Sequence, residues 1–154
     1  MAESKKLTDS TYVQVTNGSA GRLIYKSPHS GEVFIWDEPG DTQDVQLREL
    51  KSAKSSSKKF FQNNWFMFDD PNVIEYLGLQ NFYKDTLDFY SIDTFFEKDV
   101  NDMKKVLGTI PAAQRETLKL MARQKVKLGE IDSLSTIGAL EEMLDIKLIE
   151  KVDE

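Results

Sequence analysis

Tyr12-Val13-Gln14-Val15-Thr16, Arg22-Leu23-Ile24-Tyr25-Lys26, Glu32-Val33-Phe34-Ile35-Trp36 and Thr42–Val45 are separated by Asn17-Gly18, by Ser27-Pro28-His29-Ser30-Gly31 and by Asp37-Glu38-Pro39-Gly40-Asp41. The runs are rich in β-branched and aromatic residues, and the breaks hold the glycine, proline, asparagine and serine that turns use. Punctuation at roughly every 10 residues is the spacing of an antiparallel meander or small sandwich. Asn17-Gly18 reads as a turn able to take positive φ. Two hairpins alone are marginal in water, so this sheet has to close on itself or be covered by helices.

Downstream the period changes. Leu47, Leu50 and Ala53 recur at helical spacing and predict a short helix. Lys51 and the following Ser52-Ala53-Lys54-Ser55-Ser56-Ser57-Lys58-Lys59 read as a serine–lysine loop, after which Phe60 and Phe61 restart a helical turn ending near Asn63-Asn64. Trp65-Phe66-Met67-Phe68 reads as a fifth strand buried on at least one face, and its return to the sheet would make the β part span 12–69. Upstream, residues 1–11 are polar and are expected to be a flexible tail.

After Asp69 the pattern is helical. Asp70-Pro71 is a cap followed by a first-turn proline, and Gly78 ends that helix, with Val73, Ile74 and Leu77 inward. Asn81-Phe82-Tyr83 is read as a short turn. Ser91 is expected to cap 92–97, with Phe95 and Phe96 inward. Val100, Met103 and Leu107 mark a helix stopped by Gly108. Pro111 opens the longest helix, with Leu118, Met121 and Ala122 on one face, ending at Gly129. Asp132 or Ser133 caps a last helix with Leu134, Ile137, Leu140 or Glu141, and Leu144 on its stripe. The expected fold class is α+β: a small N-terminal antiparallel β-sheet or sandwich over 12–69, then a C-terminal helical unit over 70–154.

Composition bounds the chemistry. A chain of 154 residues with 40% hydrophobic and 30% charged residues is a globular domain, or one with a small companion, and can bury a real core. The absence of cysteine removes disulfides, thiolate zinc sites, iron–sulfur clusters and cysteine nucleophiles together. The single histidine, His29, leaves no histidine pair for a metal and sits in a turn expected to be exposed. Ser27 and Ser30 lie too close to it in sequence to imply a triad. Asp69-Asp70 and Asp85/Asp88 lack the calcium-loop pattern, and Asp70 already has a task as a helix cap. Gly18, Gly21, Gly31 and Gly40 fall in turns and match no phosphate-binding glycine motif. No catalytic, cofactor-binding or metal-ligating residue is therefore expected, and no cofactor.

Charge is uneven. Residues 1–60 hold nine Lys/Arg and eight Asp/Glu, whereas 61–154 hold eleven and eighteen. An acidic C-terminal half repels phosphate, so nucleic acid is not the default partner. Two basic features stand against that: Lys51, Lys54, Lys58 and Lys59 in the expected loop, and Arg115, Lys119 and Arg123 at i, i+4 and i+8 along the longest helix. That helix and its successor echo helix-turn-helix spacing, but Glu141, Glu142 and Asp145 make the second a poor recognition helix. A solvated helix face is the preferred reading. No membrane contact is expected either, because Phe66-Met67-Phe68 is far short of the ~20 apolar residues of a membrane helix. The start, Met1–Thr8, lacks the apolar stretch of a signal peptide.

Nine Phe, five Tyr and two Trp exceed what a small core strictly needs. Core packing accounts for most of them. Phe60, Phe61, Trp65, Phe82 and Tyr83 are the candidate exposed anchors for a partner.

Taken in order, several pieces are similar to one family. A Val-x-Val-Thr-Asn strand (Val13-Gln14-Val15-Thr16-Asn17) is followed by Leu23-Ile24-Tyr25, by a strand ending in Trp36, and by the Pro39-Gly40 turn. Next come Arg48-Glu49-Leu50, a Phe-rich turn, Asp70-Pro71-Asn72-Val73 with Leu77-Gly78-Leu79 and Tyr83, and finally Gly129-Glu130-Ile131-Asp132-Ser133 with Leu144-Asp145-Ile146. Over nearly its whole length the chain resembles a group of small head- or neck-associated virion structural proteins of tailed bacteriophages. The shared motifs are architectural and carry no catalytic residue. The resemblance implies a non-enzymatic particle component, made in the bacterial host cytoplasm and located in the virion. It would bind other phage virion proteins in many copies, in a capsid-associated, decoration or connector role. The alternative is a phage-encoded DNA-associated or regulatory protein using Lys51–Lys59 and the Arg115/Lys119/Arg123 stripe.

Overall fold

A computed structural model describes residues 6–149. The fold is α+β, with antiparallel strands first and helices after. The strands are β1 (Tyr12–Asn17), β2 (Leu23–Lys26), β3 (Val33–Trp36), β4 (Thr42–Gln46) and β5 (Phe66–Met67). They form a three-stranded sheet in the order β4-β1-β5 and a two-stranded sheet, β2-β3. Helices α1 (Leu47–Ser56), α2 (Lys59–Gln62), α3 (Pro71–Leu77) and α4 (Gln80–Tyr83) share a compact unit, up to Lys84, with all five strands. A second unit, from Asp85 onward, holds α5 (Phe89–Asp93), a 3₁₀ turn at Phe95–Glu97, α6 (Val100–Leu107), α7 (Ala112–Lys127) and α8 (Leu134–Leu144). The boundary thus falls after α4, not at residue 69, because Val73, Leu77, Leu79 and Tyr83 are buried in the same core as the strands.

The first unit is built around aromatic rings. Val13 and Val15 of β1, Tyr25 of β2, Phe34 and Trp36 of β3, and Phe66 of β5 meet Leu47, Leu50 and Ala53 of α1 in one core. Phe66 is its centre, with ring centroids 4.9 Å from Phe60, 5.4 Å from Phe61 and Trp36, and 5.7 Å from Tyr25. Such tilted, edge-on and offset pairs are the favoured geometries for aromatic quadrupoles. The Trp36 indole is fully buried, and its Nε1 donates to the Val15 carbonyl at 3.0 Å. The Tyr83 hydroxyl donates to the Phe66 carbonyl.

Asn17-Gly18 is not a positive-φ turn. Asn17 ends β1 and is fully buried. Its amide donates to the carbonyls of Gly21 at 2.7 Å and Glu38 at 3.0 Å, while its Oδ1 accepts from the Ser19 N–H at 2.9 Å and hydroxyl at 2.7 Å. One side chain therefore satisfies the backbone of two separate loops. Gly18 is required by space: a Cβ there would lie 2.4 Å from Met67 Sδ, 2.5 Å from its Cγ and 2.6 Å from the Asn64 carbonyl. The chain then crosses to the second sheet, so β1 pairs with β4 and β5 and not with β2.

Two further expectations change. The serine–lysine stretch is helical through Ser56, because the Leu47/Leu50/Ala53 stripe is buried against the sheet and carries the intervening residues with it. The first five residues of the expected tail lie outside the described residues, but 7–11 are held. Leu7 packs on the core, the Asp9 carbonyl accepts from the Arg48 N–H at 2.9 Å, and the Thr11 carbonyl accepts from the Leu47 N–H at 2.9 Å.

In the second unit α8 packs against α6 and α7. Its core holds Ile92, Phe95, Met103, Leu107, Leu118, Met121, Ala122, Ile137, Leu140 and Leu144. Buried Gln114 clamps the preceding loop, accepting from the Leu87 N–H at 2.7 Å and donating to its carbonyl at 2.9 Å. Asp88, rather than Ser91, caps the first helix by accepting from the Ser91 N–H at 2.7 Å. Phe96 is only half-buried, and Leu134 is 75% exposed instead of lying on the stripe, since Ser133 caps α8 just before it and Ile137 is the first inward residue.

Candidate functional site

The expected aromatic anchors are mostly core. Phe60, Phe61 and Tyr83 are buried: the first two wall the Phe66 ring, and Tyr83 packs edge-on to Phe68 at 5.6 Å with its hydroxyl on the Phe66 carbonyl. Trp65 and Phe82 are half-buried against the same cluster, with the Trp65 ring edge-on to Phe60 at 5.6 Å. None of the five is a free-standing exposed ring.

The basic residues are likewise engaged. Lys51 pairs with Asp9 at 2.7 Å and lies 4.9 Å above the Tyr76 ring, and the Tyr76 hydroxyl donates to Asp9 at 2.6 Å. This arrangement holds the Asp9 carboxyl below the usual carboxylate range, the Lys51 hydrogen bond contributing most. Lys54 donates to the Leu77 carbonyl at 2.7 Å, satisfying the C-terminus of α3. Lys59 sits 5.8 Å from the Phe60 ring centroid, while Lys58 points to solvent. Arg115 is half-buried and donates to the Leu107 carbonyl at 2.7 Å, capping α6, and Lys119 pairs with Glu116 at 2.9 Å. Of the stripe, Arg123 alone is exposed. Lys51, Lys54, Arg115 and Lys119 thus serve helix ends and local pairs, while Lys58 and Arg123 stay exposed.

His29 is exposed in its turn, and Ser27, below it, is buried with its hydroxyl accepting from the His29 and Ser30 N–H groups at 3.2 and 3.1 Å. Nothing there aligns a nucleophile with a base. Tyr25 and Glu49 are both buried beneath the β2-β3 ribbon, and burial first, then the Glu49 charge, push the Tyr25 phenol above its ordinary value. Among the described residues no group of three or more acidic or histidine side chains is placed to hold a metal.

The surface that stands out is the outer face of β2-β3. Its inner face buries Leu23, Tyr25, Phe34 and Trp36. Its outer face exposes Ile24 at 49%, Val33 at 50% and Ile35 at 37%. Ile24 stands directly opposite Ile35, and Lys26 opposite Val33. The Arg22–Asp37 pair, at 3.5 Å, closes the far end. An antiparallel sheet with one face on the core ordinarily turns polar residues to water on the other. This ribbon is apolar on both faces, with charges at its two ends, which is the make-up of an interface centre within a polar rim. The signal was present as the unbroken apolar runs Leu-Ile-Tyr and Val-Phe-Ile-Trp. A strand apolar at every position has two faces to bury, but period-two counting cannot say which one meets solvent.

Comparison with protein-family models, with curated proteins and with solved structures returned no match.

Proposed function

We propose that the chain is a non-enzymatic structural component of a tailed-phage virion that docks on other particle proteins through the outer face of the β2-β3 ribbon. The observation that carries the docking reading is the cross-strand pair Ile24/Ile35, flanked by Val33, exposed on a sheet whose other face is already full. Exposed β-branched side chains on a rigid ribbon lose little entropy when covered, and their burial contributes about 25 cal/mol per Å². The ordered resemblance of the strand and junction motifs to small phage virion proteins supplies the setting: a particle in which a repeated partner surface would meet many copies of the ribbon.

The test is incorporation. Ile24→Thr combined with Ile35→Glu should leave the melting temperature within a few degrees of wild type and deplete the protein from purified particles, measured by quantitative mass spectrometry. Wild-type protein absent from purified particles, or the double variant incorporated at wild-type copy number, would overturn the proposal.

A further inference from the structure

We infer that the first unit carries a strand-addition site at the free edge of β1, taking an extended segment of a partner chain with a basic residue beside apolar ones. The alternation of the backbone locates the edge. The Thr11 carbonyl accepts from the Leu47 N–H and the Asn17 N–H donates to the Asp41 carbonyl, each at 2.9 Å, so odd-numbered residues of this strand face β4. Even-numbered residues face the other way. There Thr16 meets Met67, and the Gly18 N–H reaches the Trp65 carbonyl at 2.8 Å.

β5 then stops. Continuing its register would set Asp69 opposite Gln14 and Pro71 opposite Tyr12. Pro71 has no N–H to donate and opens α3, so the chain turns away. Among the described residues no strand pairs with Tyr12 and Gln14 on this side, and their N–H and carbonyl groups face a groove of about 260 Å³, with Leu7, Phe68 and Val73 on its walls and Asp69 on its rim. An unpaired edge beside an apolar groove is the geometry of strand addition: main-chain bonds give affinity, and alternate side chains fill the groove. The charge selects the occupant. Asp69 is exposed and makes no ion pair with any described residue, so it favours Lys or Arg at the position facing it. This edge and the outer face of the β2-β3 ribbon use different residues, and either can fail without the other.

The experiment is amide hydrogen exchange on the full chain, with and without the peptide acetyl-(Lys-Val)₃-Lys-amide at millimolar concentration, and with acetyl-(Glu-Val)₃-Glu-amide as control. The lysine peptide should slow exchange at Tyr12 and Gln14 at least tenfold, and the glutamate peptide should not. Asp69→Asn and Asp69→Lys should each weaken binding, the second at least fivefold. Protection absent at Tyr12 and Gln14, equal protection by the two peptides, or binding unaltered in Asp69→Lys would overturn the proposal. So would concentration-dependent protection without peptide, which would assign the edge to a second copy of this chain. Loss of the Ile24/Ile35 effect on particle incorporation would instead count only against the docking face.

Discussion

The indole Nε1 of Trp36 donates to the carbonyl of Val15 at 3.0 Å, and this bond ties the two-stranded sheet to the three-stranded one. The two sheets exchange no strand pairing, so side chains join them: this hydrogen bond, the Gln43 Nε2 donation from β4 to the Ile35 carbonyl of β3 at 2.7 Å, the Asn17 amide on the Gly21 and Glu38 carbonyls, and the rings around Phe66.

Trp36→Ala should cost about 3–5 kcal/mol, the usual loss for a large buried aromatic. Trp36→Phe should recover most of the packing and lose about 1 kcal/mol with the hydrogen bond. Denaturant melts separate the two. A Trp36→Ala protein that unfolds at the wild-type midpoint would remove the aromatic core from the account.

Gly18→Ala should destabilise by about 1–3 kcal/mol through overpacking. Its Cβ would collide with Met67 Sδ and Cγ and with the Asn64 carbonyl. Met67→Ala removes two of those contacts, so the double variant should lose less than the sum of the single ones. Strict additivity in the cycle would show that the collision is not with Met67.

Alkaline pH should destabilise the first unit. Burial raises the Tyr83 phenol well above its ordinary value, and burial with the Glu49 charge raises Tyr25. Both favour the neutral phenol in the folded state, so their contribution is complete below the unfolded value near ~10 and is lost as pH rises past it. Stability measured between pH 8 and about 11.5 should fall, and Tyr25→Phe with Tyr83→Phe should flatten the fall. An unchanged slope in the double variant would contradict the assignment.

Arg115→Ala should lower the melting temperature of the second unit by a few degrees, because the Leu107 carbonyl loses its donor at 2.7 Å. Its affinity for duplex DNA should not change. A specific drop in DNA binding with an unaltered melt would restore the basic-stripe reading.

The strands, their order and the helix caps at Asp70 and Ser133 were legible because period, turn residues and cap residues are local signals. Pairing was not. Asn17-Gly18 has the composition of a tight turn, yet Asn17 is extended, and the reason lies with Glu38 and Met67, both distant in sequence. The lysines near α1 look like a solvated loop until Asp9, Tyr76 and Leu77 are brought beside them. Phe60 and Phe61 were legible as a helical turn but not as core, since their burial follows from where β5 returns. Ile24, Val33 and Ile35 carry no mark in the sequence, because nothing in a uniformly apolar strand distinguishes its wet face.

β1 lies in the middle of its sheet although it is the first strand made, and its neighbours β4 and β5 follow much later in the chain. At roughly 5–20 residues per second, several seconds separate the synthesis of Thr16 from that of its partner Met67. Until β4 is made Val13 and Val15 have no partner strand, and until β5 is made the Thr16 side of β1 stays open to any other extended chain. Such long-range closure slows folding and exposes the strand to mispairing. The unit can complete itself only once Met67 has emerged, so yield on expression should respond to translation speed across 46–67 more than to the strength of any single contact in the finished core.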